Sequence, residues 1–268
     1  MALGLAASRR LRVSVHKFTS CDGCQLSLLD CEEELLTLAE VTEISYFAEA
    51  SSSLLPGPYD VALVEGSIST PEEARRSQDV RAAAALFVSV GACATVGGIQ
   101  ALRNGRDIEA MKRITYPRTA LVRTLPASTP HSVHVKVDLE IPGCPPSKDQ
   151  ILEVVTRLLL RQRPRLPSHS LCLECKRRGN VCVLVSGGQP CLGPITHAGC
   201  GALCPSYGRA CYGCFGPMDD PQPGRLAGEL EKRGLPPEEI VRRLQEITAG
   251  DESLTEVAER YKEGRQDP

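Results

Sequence analysis

The sequence predicts an α/β protein built on an open parallel sheet, followed by a cysteine-rich block and a helical tail. Three observations carry that prediction. Strand-like and helix-like segments alternate over residues 11–162, as a parallel sheet covered by helices requires. The runs VALV and LFVSV are almost wholly apolar, which fits strands buried on both faces of a sheet. Eight of the 13 cysteines then crowd into residues 172–214, where glycine and proline are frequent and apolar periodicity is weak.

In chain order, LRVSVHKF reads as the first strand, FTSCDGCQ as a turn, and LSLLDCEEELLTLAE as a helix. VTEISYF and YDVALVEG are the next strands, PEEARRSQDVRAAAA a helix, and ALFVSVGAC a strand running into a glycine–cysteine turn. After a less regular stretch, PGCPPSKDQILEVVTRLLL gives a proline-punctuated turn and an amphipathic helix whose start is marked by Ser147. RQRPRLPSHS, at 161–170, is a basic, proline-bearing linker. The expected organisation is an α/β domain over 11–162, a cysteine block over 163–220 and a tail over 221–268. In the tail, LPPEEIVRRLQEI places Pro237 near a first helical turn with acidic residues at the positive helix end, and reads as surface helices or a docking arm.

The totals narrow the function. With 268 residues and 42% apolar content, the chain can bury a core as one large or two smaller domains. Its 31 basic and 33 acidic residues give a net charge of -2, which supplies no electrostatic case for nucleic acid or an acidic membrane surface. Arg9 and Arg10 form an export-like pair, but a short strand running toward Cys21 follows, with no apolar export segment or small-residue cleavage site. No run of about 18 apolar residues is present, so no transmembrane helix is expected. The chain reads as cytoplasmic, where thiols stay reduced and clustered cysteines imply metal. An odd count of 13 also cannot close entirely into intramolecular disulfides.

Three segments of the α/β region carry a first cysteine set: Cys21 and Cys24 in SCDGCQ, Cys93 in VGACATVGG, and Cys144 in IPGCPP. Loops at the carboxyl ends of parallel strands converge on one sheet edge, so four thiolates can meet there. Adjacent glycines allow close backbone approach, and helix N-termini after Cys24 and Cys93 favour an anionic group. Cys31, seven residues beyond Cys24 on the expected helix, reads as a core thiol. A redox C-x-x-C pair leaves Cys93 and Cys144 unexplained, whereas four-thiolate zinc and iron–sulfur sites both remain open. The second block holds Cys172, Cys175, Cys182, Cys191, Cys200, Cys204, Cys211 and Cys214, enough for two four-thiolate sites.

SCDGC, EGSI, GACATVGG, PGCPP, CLGPITHAGC and CYGC occur in this order. Together, over about residues 12–217, they resemble the small subunit of nickel–iron hydrogenases. The resemblance implies a flavodoxin-like domain and three [4Fe-4S] clusters. Cys21, Cys24, Cys93 and Cys144 fall on the proximal positions, and Cys172, Cys175, Cys182 and Cys191 on the distal ones. Cys200, Cys211 and Cys214 fall on medial positions, where Cys204 adds a fourth thiol to a site that often has three. Cys172 stands where many periplasmic members have histidine. These departures and CDGCQLSLLD resemble the cytoplasmic, multi-subunit branch: the sulfhydrogenase delta, NAD(P)-linked and F420-non-reducing types. Oxygen-tolerant members of the family carry extra cysteines around the proximal cluster; here Gly23 lies within the first pair and Thr95 follows the Cys93 turn, so the resemblance does not extend to that specialisation.

The implied role is electron transfer between a nickel–iron large subunit and a flavin- or iron–sulfur-bearing acceptor subunit, with no catalytic residue in this chain. Glu65, in VALVEGSIS, matches a family glutamate near the proximal cluster and the subunit interface; a satisfied polar group at a strand end is the simpler alternative. His197 reads as a hydrogen-bond donor beside the clusters or a surface residue, while His16 and Lys17 receive no role. The rival readings are a complex-I-like quinone-oxidoreductase subunit and a structural zinc-binding interaction module. The former carries adjacent cysteines in its first motif, where Asp22 and Gly23 here separate the pair.

Overall fold

The computed structural model describes residues 10–264. Five strands, β1 (Leu11–Lys17), β2 (Thr42–Phe47), β3 (Tyr59–Glu65), β4 (Ala84–Val90) and β5 (Leu139–Ile141), pair in parallel throughout. Their spatial order is β2-β1-β3-β4-β5, the flavodoxin-like order, which reverses between β1 and β3. Every residue of β3 is buried, because this central strand is covered on both faces.

Alternation along the strands divides the core in two. Val61, Leu63, Val88, Val90 and Ile141 face one side and pack on Leu28 of α1 (Gly23–Leu29) and on Ile151, Val154 and Leu158 of α6 (Lys148–Leu159). Ala62, Val64 and Phe87 face the other and pack on Val80 of α3 (Pro71–Ala83). The sheet is therefore doubly wound. Two helix starts follow their sequence signals closely. Thr70 and Glu73 form a reciprocal capping box before Pro71, and Ser147 caps α6 by accepting from the N–H of Gln150.

Two local readings change. The single helix expected over LSLLDCEEELLTLAE is broken: α1 ends at Leu29 and α2 (Glu32–Val41) begins after Cys31, with Glu32 at a left-handed φ of 39°. Three acids in the first turn of α2 favour a new helix N-terminus there. Cys31 thus lies at the junction rather than along one continuous helix; it is fully buried, with its Sγ donating to the Ser27 carbonyl at 3.5 Å. Strand β5 arises from the stretch that read as irregular, its entry pinned where Phe87 and Asp138 exchange hydrogen bonds at 2.9 Å. Between β4 and β5 lie only the short α4 (Ala92–Val96), α5 (Ile108–Thr115) and 3₁₀ turns.

The cysteine block is made of α7 (Leu171–Arg177), α8 (Val183–Gly187) and α9 (Leu203–Ser206) joined by turns. The tail forms α10 (Pro223–Lys232), α11 (Pro237–Leu244) and α12 (Glu252–Lys262). It is not a detached surface arm. Leu226, Leu230, Ile240, Leu244, Leu254 and Val257 share one core with Leu171, Leu192 and Ile195 of the block. The block has too few periodic apolar residues to close a core alone, and the amphipathic tail supplies the other half. Among the described residues no helix is long and apolar enough to cross a membrane.

Candidate metal centres

The carboxyl edge of the sheet builds the first centre. Lys17, Glu65 and Val90 lie in register across β1, β3 and β4, and the chain leaves each strand into a loop at this edge. Cys21 and Cys24 follow β1, Cys93 follows β4 and Cys144 follows β5. The four thiols lie within electrostatic reach of one another. The Cys24 thiol is pushed far up by burial, then by the charges of Glu65, Cys93 and Cys144. Burial pushes Cys93 up to about 11, with the Gln100 hydrogen bond opposing and Cys144 and Cys21 adding to the rise. Partial loss of hydration at the sheet edge, and then Cys21, raise Cys144.

Gly91 makes this convergence possible. Its φ is +86°, and a β-carbon there would lie 2.2 Å from the Cys24 Sγ and 3.4 Å from the Gly143 carbonyl. Any other residue would displace the thiol. The expected helix N-termini are present, but Cys24 and Cys93 lie inside the first turns of α1 and α4 rather than ahead of them. Gln100 ties two of the loops: its Nε2 donates to the Thr19 carbonyl at 2.9 Å, and its Oε1 accepts from Cys93 Sγ at 3.4 Å. Glu65 is 2% exposed; one carboxylate oxygen accepts from the Cys24 N–H at 3.3 Å and the other has no partner. Burial raises its pKa, against Gln25 and the Cys24 N–H beside it.

In the second block too, the thiols lie near one another. Cys172 is pushed up to about 11 by burial, then by Cys191, Cys175 and Cys182. Gly193 sits between two of these thiols, where a β-carbon would be 3.4 Å from Cys191 Sγ and 3.8 Å from Cys172 Sγ. Burial lifts Cys214 to about 12, followed by the charges of Cys200, Cys144 and Cys204. Burial drives Cys211 up further, against the Gly213 N–H, which donates to its Sγ at 3.4 Å. Glu174 holds the turn around Cys200, accepting from the N–H groups of Gly199 at 2.9 Å and Ala202 at 3.1 Å.

The sets adjoin in sequence. Cys214 lies against Cys144 of the sheet edge, whose backbone N–H points at its sulfur, while Cys175 lies within the field of Cys200. Cys211 donates its N–H to Cys191 Sγ at 3.2 Å. All 13 cysteines are free thiols. Where burial raises them, a bare thiol stays protonated at neutral pH, so a thiolate set there needs the positive charge of a metal to form. Among the described residues no three His, Cys, Asp or Glu side chains converge on one metal-ion position. A four-iron cluster with each thiolate on its own iron spans more room than a single ion's shell, and the donor sets suit it.

His197 is no part of these sets: its Nδ1 bonds the Pro167 carbonyl at 3.0 Å and its Nε2 lies 3.8 Å from Asp219, so it fastens the linker. Lys17 pairs with Asp22 in the first cysteine turn. The close approach expected of the glycines beside the cysteines is found at Gly91, whereas sequence reasoning missed Gln100 and Glu174 as supports, since polar residues at those spacings carry no motif of their own.

Residues 21–158 match the family described as NADH ubiquinone oxidoreductase, 20 Kd subunit. Sulfhydrogenase 2 subunit delta of Pyrococcus furiosus is 38% identical over 88% of this chain and 98% of its own. A vhu-type F420-non-reducing hydrogenase subunit of Methanocaldococcus jannaschii is 32% identical over 78% of this chain and 83% of its own. Among solved structures, NAD+-reducing [NiFe]-hydrogenase in the H2-reduced state contains a chain matched with a TM-score of 0.56 and 30% identity, over 59% of this chain and 96% of that one. The cysteine-bearing sheet edge, the ordered motifs and these likenesses agree: the chain belongs to the hydrogenase small subunits, within the wider family of the 20 kDa subunit of NADH ubiquinone oxidoreductase.

Proposed function

We propose that this chain is the electron-transfer subunit of a cytoplasmic nickel–iron hydrogenase, linking a hydrogen-activating large subunit to a flavin- or iron–sulfur-bearing acceptor subunit. The observation that carries the reading is a run of neighbouring thiols from the sheet edge into the cysteine block, with Cys144 against Cys214 and Cys175 beside Cys200. Cys21, Cys24, Cys93 and Cys144 would hold a proximal [4Fe-4S] cluster at the sheet edge. Cys200, Cys204, Cys211 and Cys214 would hold a medial one, and Cys172, Cys175, Cys182 and Cys191 a distal one. When bound, such clusters supply reversible one-electron transfer at potentials set by ligation, hydrogen bonds to sulfur and solvent access.

The chain's own residues do the rest. The sheet fixes three loops at one edge, Gly91 lets Cys24 approach, and the N–H groups of Cys144, Cys211 and Gly213 point at sulfur. Burial of Cys24, Cys191 and Cys211 keeps water from those thiols. Glu65 keeps one carboxylate oxygen on the Cys24 N–H and the other without a partner, which suits a group that holds a proton at the subunit interface.

The test is elemental and spectroscopic. The anaerobically purified complex is expected to carry about 12 irons and 12 sulfides in this subunit. A persistent oxidised [3Fe-4S] signal from intact protein would remove Cys204 from the ligands. Cys21→Ala is expected to stop nearly all electron flow from hydrogen, whereas Cys172→Ala spares hydrogen–deuterium exchange and impairs delivery to the acceptor. Unimpaired acceptor reduction in Cys172→Ala would overturn the distal assignment.

A further inference from the structure

At the seam between the sheet domain and the cysteine block lies a buried amide without a partner. Gln150, in the first turn of α6, is 5% exposed, and neither its side-chain oxygen nor its nitrogen has a hydrogen-bond partner among the described residues. Its backbone is fixed by the Ser147 cap, which accepts from the Gln150 N–H at 3.3 Å. Burying a polar group unpartnered costs about 1–3 kcal/mol, which a methionine or leucine at this place would not incur. An amide kept there points to a partner that the chain's own polar groups do not supply.

The position of Gln150 identifies that partner. Its amide lies over Gly199, whose φ is +135°; a β-carbon at 199 would overlap Nε2, lie 2.8 Å from Cδ and stand 3.1 Å from the Phe215 ring. Gly199 and Phe215 are the chain neighbours of Cys200 and Cys214. Cys144 precedes Gln150 by six residues, and Cys214 lies within the fields of both Cys200 and Cys144. Gln150 therefore stands where the thiols of the sheet edge meet those of the block. The Gly199 N–H is turned to Glu174 at 2.9 Å and does not serve the amide. Electron-rich sulfur takes a donor, which selects the NH2 end of the amide over its oxygen.

We propose that Gln150 Nε2 donates an N–H hydrogen bond to sulfur of the cluster held by Cys200, Cys204, Cys211 and Cys214, and so raises that cluster's potential above the value its four thiolates alone would give. The inference rests on the relay reading and adds to it a residue of the sheet domain that tunes a centre of the block. Reduction adds a negative charge to the cluster, so a donor at its sulfur favours the reduced form.

The test uses the purified complex of this chain with its hydrogenase large subunit, poised at a series of potentials and followed by electron paramagnetic resonance. Gln150→Met keeps the length of the side chain and removes the donor. At a fixed potential the reduced-to-oxidised ratio of the medial cluster is expected to fall about tenfold in this variant, a downward shift of about 59 mV for one electron, while the other two clusters keep their potentials. A purely structural amide predicts the opposite pattern: Gln150→Met gains stability and moves no potential. A second measurement needs no variant. With 15N in the glutamine side chains, pulsed resonance of the parent complex is expected to show a nitrogen coupled to the medial cluster. An unmoved medial potential, or no such coupling in the parent, overturns the role of Gln150; should the variant fail to hold that cluster, the parent's coupling alone decides. A parent complex with no cluster on those four cysteines removes the relay reading and the role of Gln150 with it, and the iron count separates that failure from the first.

Discussion

The sheet domain and the cysteine block both gather thiols, but by different physical means. In the first, the lattice of β1, β3 and β4 fixes the loops, and its core of Val61, Leu63, Val88, Ile141 and Val154 takes in Cys24 alone of the four thiols. Cys21 and Cys144 are exposed at the edge of that core. In the second, Cys191 and Cys211 are themselves core members, packed with Leu171, Leu192 and the tail helices. One region is a scaffold that carries a site; in the other, site and scaffold coincide. Metal loading should therefore be a matter of function for the first region and of folding for the second.

The largest expected effect breaks or supports that contrast directly. Cys191→Ala is expected to raise amide hydrogen exchange across residues 171–217 and in α10–α12 by about 100-fold or more, while β1, β3 and β4 keep their protection. Cys93→Ala, by contrast, should lose its cluster and leave exchange in both regions close to that of the parent. Equal loss of protection in the two variants would show that the sheet also depends on its thiols.

A second effect sharpens the comparison from the apolar side. Ile240 and Leu244 are fully buried in the core shared with the block. Replacing either with alanine is expected to cost about 2–5 kcal/mol of the stability of block and tail together. The loss should appear as a lower urea midpoint for exchange of residues 171–261 and as reduced iron retention there, with the sheet unmoved. A change confined to α11 would mean that the tail merely rests on the block.

The contrast also explains what could be read in the sequence. VALV and LFVSV declare buried strands because a parallel strand needs apolar residues on both faces, and Ser147 and Pro237 mark helix starts by local chemistry alone. Cys21, Cys24, Cys93 and Cys144 could be brought to one edge because parallel topology leaves their loops nowhere else to go. The shared core of block and tail could not be read so. Leu226, Ile240 and Leu254 show an amphipathic period, but their partners Leu171, Leu192 and Ile195 lie in a segment without one. Likewise nothing in the spacing of Glu174 announces its bonds to Gly199 and Ala202, 25 and 28 residues away.

The smallest effect concerns how the sheet domain is sealed, and it isolates that region by pH. His16 on β1 is 5% exposed, stacked on Tyr46 at 4.5 Å and edge-on to Tyr59 at 5.6 Å, with no partner for Nε2. Burial, and then the positive charge of Arg76, lower its pKa to about 4 from 6.5. The unfolded chain therefore binds this proton more readily than the folded one, so the full stability is present above pH 6.5 and is lost as pH falls toward 4. His16→Phe keeps an aromatic ring against Tyr46 and removes the titration. Its stability is expected to match the parent within about 1 kcal/mol at pH 7, and to exceed it by about 2–3 kcal/mol at pH 4.5. His131, buried between Ser77 and the Gly66 carbonyl and also lowered to about 4, still titrates in both proteins and cancels in the difference. Urea unfolding followed by exchange in β1 and β3 reads the effect; a parent and variant that weaken equally between pH 7 and 4.5 would show that His16 does not stay neutral in the folded sheet.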